Sequence, residues 1–216
     1  MARLTETLAR RALDRAVADR QAEYMQEMQR VVEATYRLIE RTGSLDPSLR
    51  DILRESALST QAFYRYFQSK DELLLLLLDD GRRQLLGYLE HRVARATTPD
   101  TRLRAWIEGV LAQASNPGAA DRTRPFVVNQ ARLAEAYPVE QQTSVDLLTE
   151  QLASILKDRG RARGARREEL RRDAEAIYEM VFGTLHRHLL HRTRPTAAEV
   201  DHLVRFTVRA LSTPDR

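Results

Sequence analysis

The sequence contains no cysteine, which excludes disulfides and thiolate metal sites and leaves the redox compartment open. No alternating run of β-branched residues lies between hairpin turns, so strands are not expected. The leucine run Leu73–Leu78 falls far short of the roughly 20 apolar residues needed to span a bilayer. The opening MARLTETLARR is charged and has no apolar centre of the kind a signal peptide carries. There is no H-E-x-x-H, no glycine-rich phosphate loop and no G-x-S-x-G. These absences lead to the expectation of a soluble, cytoplasmic protein that is not an enzyme, holds no cofactor or metal and has no membrane partner. Lysine is almost missing as well. Only Lys70 and Lys157 occur among 35 basic residues, and the rest are arginine.

The balance that remains is basic, with a formal net charge of +4 and a pI near 9.7. Arginine forks match phosphates and guanine edges, so a nucleic-acid partner is allowed. A GC-rich genome produces the same bias, and composition alone decides nothing.

Helix punctuation is frequent in the 216 residues. The tail through Tyr24 carries balanced charge and reads as a helical extension (1–24). Met28, Val32, Tyr36 and Ile39 then give one apolar helix face, and Gly43 stands where that helix would end. Asp46-Pro47 reads as an N-cap followed by proline at the first position of a short second helix, which ends near Ser56-Ala57-Leu58. Ser59 caps a third. Ser69 and Glu72 form a capping box that opens a long fourth helix, about 71–96. Six consecutive leucines cover a helix on all sides, which predicts that this stretch is wrapped by protein. Further helices are predicted from Thr98-Pro99-Asp100 through Leu103, Trp106, Ile107 and Val110, over 126–137 and over 139–159. The last two follow at 166–192 and 196–211, the second opened by a Thr196–Glu199 capping box. The stretches 114–125 and 159–164 (RGRARG) read as loop and break. The fold class is all-α, with about nine to ten helices.

Three short helices, the second and third separated by about three residues, are the pattern of a helix-turn-helix. Its third helix must anchor one face and show small and polar side chains on the other. Leu58, Phe63 and Phe67 can anchor it. Ser59, Thr60, Gln61, Tyr64 and Arg65 then face outward, with Tyr66 and Lys70 just beyond. Gln61 can pair with an adenine edge and Arg65 with guanine.

The segment SLRDILRESALSTQAFYRYFQSKDELL resembles the DNA-binding signature of TetR-type transcriptional regulators through Ile52, Glu55, Leu58, Ser59, Tyr64, Phe67, Ser69, Lys70, Glu72 and Leu73. Ala57 replaces the family's usual turn glycine, which leaves two outcomes: a right-handed turn or a slightly strained one. Gln61 and Ala62 replace a common glycine and threonine, altering which bases are read. The resemblance implies that residues 25–85 form the DNA-binding domain, with the motif at about 48–67. It also implies that Thr60, Gln61 and Tyr64 meet bases or sugars, and that Ser48, Arg50, Arg65, Tyr66 and Lys70 fall along phosphates.

For residues 86–216 the resemblance implies ligand binding and dimerisation, with the fourth helix linking head to body. It implies an apolar small-molecule effector beside Trp106, Phe126, Tyr137, Tyr178 and Phe182. It also implies a homodimer reading a near-palindromic operator in double-stranded DNA, built on the last two helices. There Ile177, Val181, Leu185 and Leu189, then Leu203, Phe206 and Ala210, make apolar stripes, and Gly183 allows close approach. Ser154-x-x-Lys157 matches a serine-nucleophile pattern without its companions. His188 and His191 share a helix face with no carboxylate in matching register beside them, so structural or interface histidines are expected. Two other classes compete with a homodimeric repressor: an arginine-rich helical protein binding RNA or polyanions through 159–172, and a helical small-molecule-binding protein without DNA binding.

Overall fold

The computed structural model describes residues 2–158 and 167–212. Among them the regular structure is entirely helical: α1 (Ala2–Thr42), α2 (Leu49–Ser56), α3 (Thr60–Tyr66), α4 (Lys70–Ala94), α5 (Pro99–Ser115), α6 (Pro117–Val128), α7 (Gln130–Ala136), α8 (Pro138–Asp158), α9 (Arg167–His191) and α10 (Ala197–Ser212). The chain divides into two compact units, 1–74 and 75–216, and the division falls inside α4. No described helix is long and apolar enough to cross a membrane.

In the first unit, α1 runs unbroken for 41 residues, about 60 Å at 1.5 Å per residue. The tail and the first predicted helix are therefore one element. Its buried stripe is Val31, Ala34, Thr35, Leu38 and Ile39. The sequence-based face was centred one position away: Met28, Val32 and Tyr36 are only half-buried flanks. Ile52 of α2, Ala62 and Phe63 of α3, then Phe67 and Leu73, complete this core. The Phe63 and Phe67 rings meet at 5.1 Å. Arg37 and Arg41 of α1 fork onto Glu55 of α2 at 3.2 and 3.3 Å. Those two guanidiniums hold the Glu55 carboxyl below its ordinary range.

Two caps differ from the sequence-based reading. α2 starts after Ser48, whose hydroxyl accepts the Asp51 N–H, rather than after Asp46. Asp46 instead donates its own N–H to Ser44 Oγ at 3.1 Å and pairs with Lys70. At the start of α4, Ser69 accepts the Glu72 N–H as predicted. The Glu72 carboxylate, however, takes the N–H of Gln68 at 2.5 Å, one residue before the box would have it.

The leucine run is not wrapped. Leu73 and Leu77, one helical turn apart, are fully buried, whereas Leu76 is 36% exposed. A full turn of leucine makes a helix compatible with burial on every side, but neighbours decide which sides are covered.

In the second unit, α9 packs against α5, α6 and α8, and α10 lies on α5. Leu103, Trp106, Ile107 and Val110 of α5 are all in the core, as the spacing predicted. Gly109 lets α4 approach α5: a Cβ there would lie 2.6 Å from Leu89 Cδ2. The predicted loop at 114–125 is mostly helix. Asn116 caps α6 by accepting the Ala119 N–H, Pro117 occupies the first turn, and Pro125 is accommodated near the far end. Cap-plus-proline punctuation shares its composition with a loop, but proline fits a first turn, where the missing N–H has no partner to lose. The predicted helix over 126–137 is divided between α6 and α7, with Asn129 between them. The break at 159–164 lies outside the described residues.

At the α9–α10 corner, Thr196 caps the Glu199 N–H at 3.2 Å, but the Glu199 carboxylate does not close the predicted box. It accepts from His188 Nε2 at 2.9 Å and from Arg187, while His188 Nδ1 meets Thr193 Oγ1 at 2.8 Å. A carboxylate therefore does stand beside His188, brought by the fold across the corner. No group of three or more metal-ligating side chains occurs among the described residues.

Candidate nucleic-acid interface

α2 and α3 are joined through a left-handed residue. Ala57 adopts φ 55°, ψ 35° and donates its N–H to Leu53 O, and Leu58 N–H reaches the same carbonyl at 3.2 Å. The glycine-free turn is thus left-handed all the same, at a conformational cost of about 1 kcal/mol for a residue with a Cβ. Ser59 then caps α3 by accepting the Ala62 N–H.

α3 separates its faces cleanly. Ala62 and Phe63 are buried, while Thr60, Gln61, Tyr64 and Arg65 point to solvent, Tyr64 being 55% exposed. This is a short helix held from behind by aromatic packing, with hydrogen-bonding side chains on the open side. Such a helix can enter a major groove.

The residues expected along phosphates fall into two groups. Arg50 at the start of α2 and Arg65 on α3 have no carboxylate within ion-pair distance among the described residues. Ser48, Tyr66 and Lys70 are engaged within the head. The Ser48 hydroxyl donates to Asp51 Oδ2 at 2.6 Å, Lys70 pairs with Asp46, and the Tyr66 hydroxyl donates to Glu27. The Ser48 hydroxyl, with Arg54 beside it, keeps the Asp51 carboxyl below its ordinary range. Burial, then the bond to Glu27, pushes the Tyr66 phenol up to about 12.

α1 adds side chains that no sequence pattern singled out. The Tyr24 ring meets the Tyr66 ring edge-on at 5.7 Å. Arg65 lies over both rings, 5.9 Å from the Tyr24 centroid and 5.8 Å from that of Tyr66. Arg20 donates Nε–H to the Tyr24 hydroxyl at 3.2 Å and stands 5.6 Å from the centre of that ring. The contacts of Tyr24 with Arg65 and Tyr66 join residues about forty positions apart, beyond the reach of any local pattern.

Residues 31–77, the core of this arrangement, match the family model described as bacterial regulatory proteins, tetR family. The chain is 29% identical over 181 residues to the HTH-type transcriptional regulator BetI of Brucella anthropi, covering 81% of this chain and 87% of that protein. A transcriptional regulator from Pseudomonas aeruginosa PAO1 shares its fold, with a TM-score of 0.72 at 18% identity over 87% of this chain and 90% of the other. Residues 31–77 are thus a tetR-type region, and the chain is a DNA-binding transcriptional regulator. The reduced form of Escherichia coli NemR is a further solved structure of this shape, with a TM-score of 0.69, 16% identity, and coverage of 88% and 100%.

In the second unit, three of the five aromatic residues proposed around an effector come together. Trp106 and Phe182 have ring centroids 6.3 Å apart, and Phe182 stacks on Tyr178 at 4.3 Å. The Trp106 indole N–H donates to Gln151 Oε1 at 2.9 Å. Burial pushes the Tyr178 phenol up to about 12. Phe126 and Tyr137 are half-buried, on α6 and at the end of α7. The dimer stripes also divide. Ile177, Val181, Leu185 and Leu189 are buried in the chain's own core, because the most continuous apolar face of α9 is the one that packs on α5, α6 and α8. Gly183 of α9 is exposed with nothing near a Cβ built on it, and Phe206 and Ala210 of α10 are exposed while Leu203 is half-buried. Leu190, absent from the sequence-based stripe, is 50% exposed.

Proposed function

We propose that this DNA-binding transcriptional regulator is a homodimeric repressor in the cytoplasm, released from a near-palindromic operator by an apolar small molecule. It acts as a regulator rather than an enzyme. Residues 25–85 serve as the DNA-binding domain and 86–216 as the ligand-binding and dimerisation domain. The observation that carries the reading is α3: Thr60, Gln61, Tyr64 and Arg65 exposed on one side, Ala62 and Phe63 fully engaged on the other. Thr60, Gln61 and Tyr64 meet bases or sugars, and Ser48, Ser59, Arg50, Arg65, Tyr66 and Lys70 line the backbone. Ser48, Tyr66 and Lys70 must exchange their internal partners for phosphate as they do so.

A seven-residue recognition helix buries too little surface for tight specific binding, so two heads are required. The exposed Phe206, Leu190, Gly183 and Ala210 favour pairing through α9 and α10. The cluster of Trp106, Tyr178 and Phe182, with Gln151 bonded to the indole, favours a mostly apolar effector.

The deciding experiment is a gel shift on the DNA upstream of the protein's own gene. Retardation that survives excess competitor DNA, with Gln61→Ala losing about 1–3 kcal/mol per half-site and relaxing preference at one base pair, supports the reading. Retardation abolished by any polyanion points instead to non-specific binding. For the effector, linkage requires that a ligand found by thermal shift lose affinity in the presence of operator by the factor it imposes on DNA binding, typically about 5–150-fold. Equal ligand affinity with and without operator removes it as a regulator.

A further inference from the structure

The arginines of the head from Arg20 to Arg65 sort sharply by partner. Arg30, Arg37, Arg41 and Arg54 each hold a carboxylate: Glu27, Glu33 with Glu55, Glu55, and Asp51. Arg20, Arg50 and Arg65 pair with none among the described residues. Arg50 and Arg65 already belong to the proposed DNA face. Arg20 is the exception, since it sits on the outward extension of α1, 45 positions from Arg65 in sequence.

The fold nevertheless brings Arg20 to that face. Arg20 and Arg65 lie over the same Tyr24 ring, with centroid distances of 5.6 and 5.9 Å. Tyr24 is held in turn by the edge-on contact with Tyr66, at the end of α3. An aromatic ring attracts guanidinium groups to its face and leaves their N–H forks free for another acceptor. Two like charges on one ring repel each other, and an anion spanning both relieves that repulsion. The carboxylates near Arg20 in sequence are Asp19, Glu23 and Glu27, and Asp19 forms no ion pair with it among the described residues. Glu27 is occupied by Tyr66 and Arg30, and Glu23 forms no ion pair with Arg20. Arg20 is itself exposed. When α3 lies in a major groove, whatever adjoins its C-terminal end lies over the sugar-phosphate backbone that borders the groove.

We propose that Arg20, seated on Tyr24 beside Arg65, is a further DNA contact that binds a backbone phosphate outside the bases read by α3. Through it the α1 extension widens the footprint of each head. The inference rests on the DNA-binding reading above but not on sequence specificity, because a phosphate contact acts on every duplex alike.

The test measures the salt dependence of binding by the full-length protein to its operator and to an unrelated duplex, for wild type, Arg20→Ala and Arg20→Lys. Each phosphate contact contributes about 0.9 to the slope of log affinity against log salt, so a dimer loses about 1.8 in Arg20→Ala on both duplexes. The affinity advantage of wild type over Arg20→Ala then shrinks about 12-fold between about 50 and 200 mM salt. Arg20→Lys restores most of the slope, and hydroxyl-radical protection at the outer edge of each half-site disappears in Arg20→Ala alone. Melting temperature is nearly unchanged, since Arg20 is exposed and its hydrogen bond to Tyr24 lies on the surface. If wild type is operator-specific and Arg20→Ala keeps its slope, the Arg20 contact is wrong while the regulator reading stands. If wild type binds both duplexes equally and the slope still falls, the contact stands and the specific-regulator reading is wrong. If wild type binds no duplex, both are overturned.

Discussion

Ala57 holds the turn between α2 and α3 in the left-handed region at φ 55°. The left-handed conformation costs an L-residue about 1–2 kcal/mol because Cβ crowds the carbonyl that follows. Glycine escapes that crowding but loses more backbone freedom on folding, worth about 0.4–1 kcal/mol. The net effect of Ala57→Gly is a gain of about 0.5–1 kcal/mol. The Ala57 side chain is exposed, so no packing is lost, and both N–H bonds to Leu53 O are kept. For a chain of this length that gain raises the melting temperature by about 1–4 °C if it unfolds as a unit. Gly43 supplies the opposite arm. Its φ is 69° and nothing lies within 4 Å of a Cβ built there, so Gly43→Ala reports conformational cost with no clash and lowers stability by a similar amount. Urea melts followed by circular dichroism read both variants, and operator affinity stays constant because the turn geometry does not change. A melting midpoint for Ala57→Gly at or below that of wild type would refute the claim that this turn is strained.

Three further outcomes follow from the same contacts. Lys70→Ala lowers the salt slope by about 1.8 for a dimer on every duplex, whereas Asp46→Asn, which releases Lys70 from its partner, raises affinity for all duplexes alike; an unchanged slope in the first variant takes Lys70 off the phosphate path. Leu190→Glu combined with Phe206→Glu gives monomers in light scattering without unfolding, because both side chains are exposed in the single chain, 50% and 57%; a stable dimer would place the interface elsewhere. The Tyr178 phenol titrates near 12 when folded and near its ordinary value of 10.0 when unfolded, so the unfolded chain releases its proton first and stability declines as pH rises from about 10 to 12. Tyr178→Phe flattens that decline in denaturant titrations, and an identical decline in the variant would show that other groups cause it.

Local chemistry carried a large part of this protein in plain view. Ser59, Thr98 and Thr196 announced helix starts that the fold keeps, because a side-chain oxygen three residues from an orphan N–H needs nothing beyond its own turn. The alternation of Thr60, Gln61, Tyr64 and Arg65 with Ala62, Phe63 and Phe67 likewise determined which side of α3 would be buried. Where two local options were both sound, only tertiary structure chose. Asp46 and Ser48 are equally good caps, and Lys70, 24 residues beyond Asp46, settled the matter by claiming Asp46. Glu199 could close a capping box or meet a histidine, and the α9–α10 corner gave it to His188 and Arg187. The stripe Ile177–Leu189 suited a core or a subunit interface equally, since apolar area carries no label for its partner, and packing on α5, α6 and α8 assigned it to the core. Tyr24 and Arg20 had no signal at all. Tyr66 and Arg65, the partners of Tyr24, lie more than forty residues away, and a contact at that separation exists only once the chain between has folded.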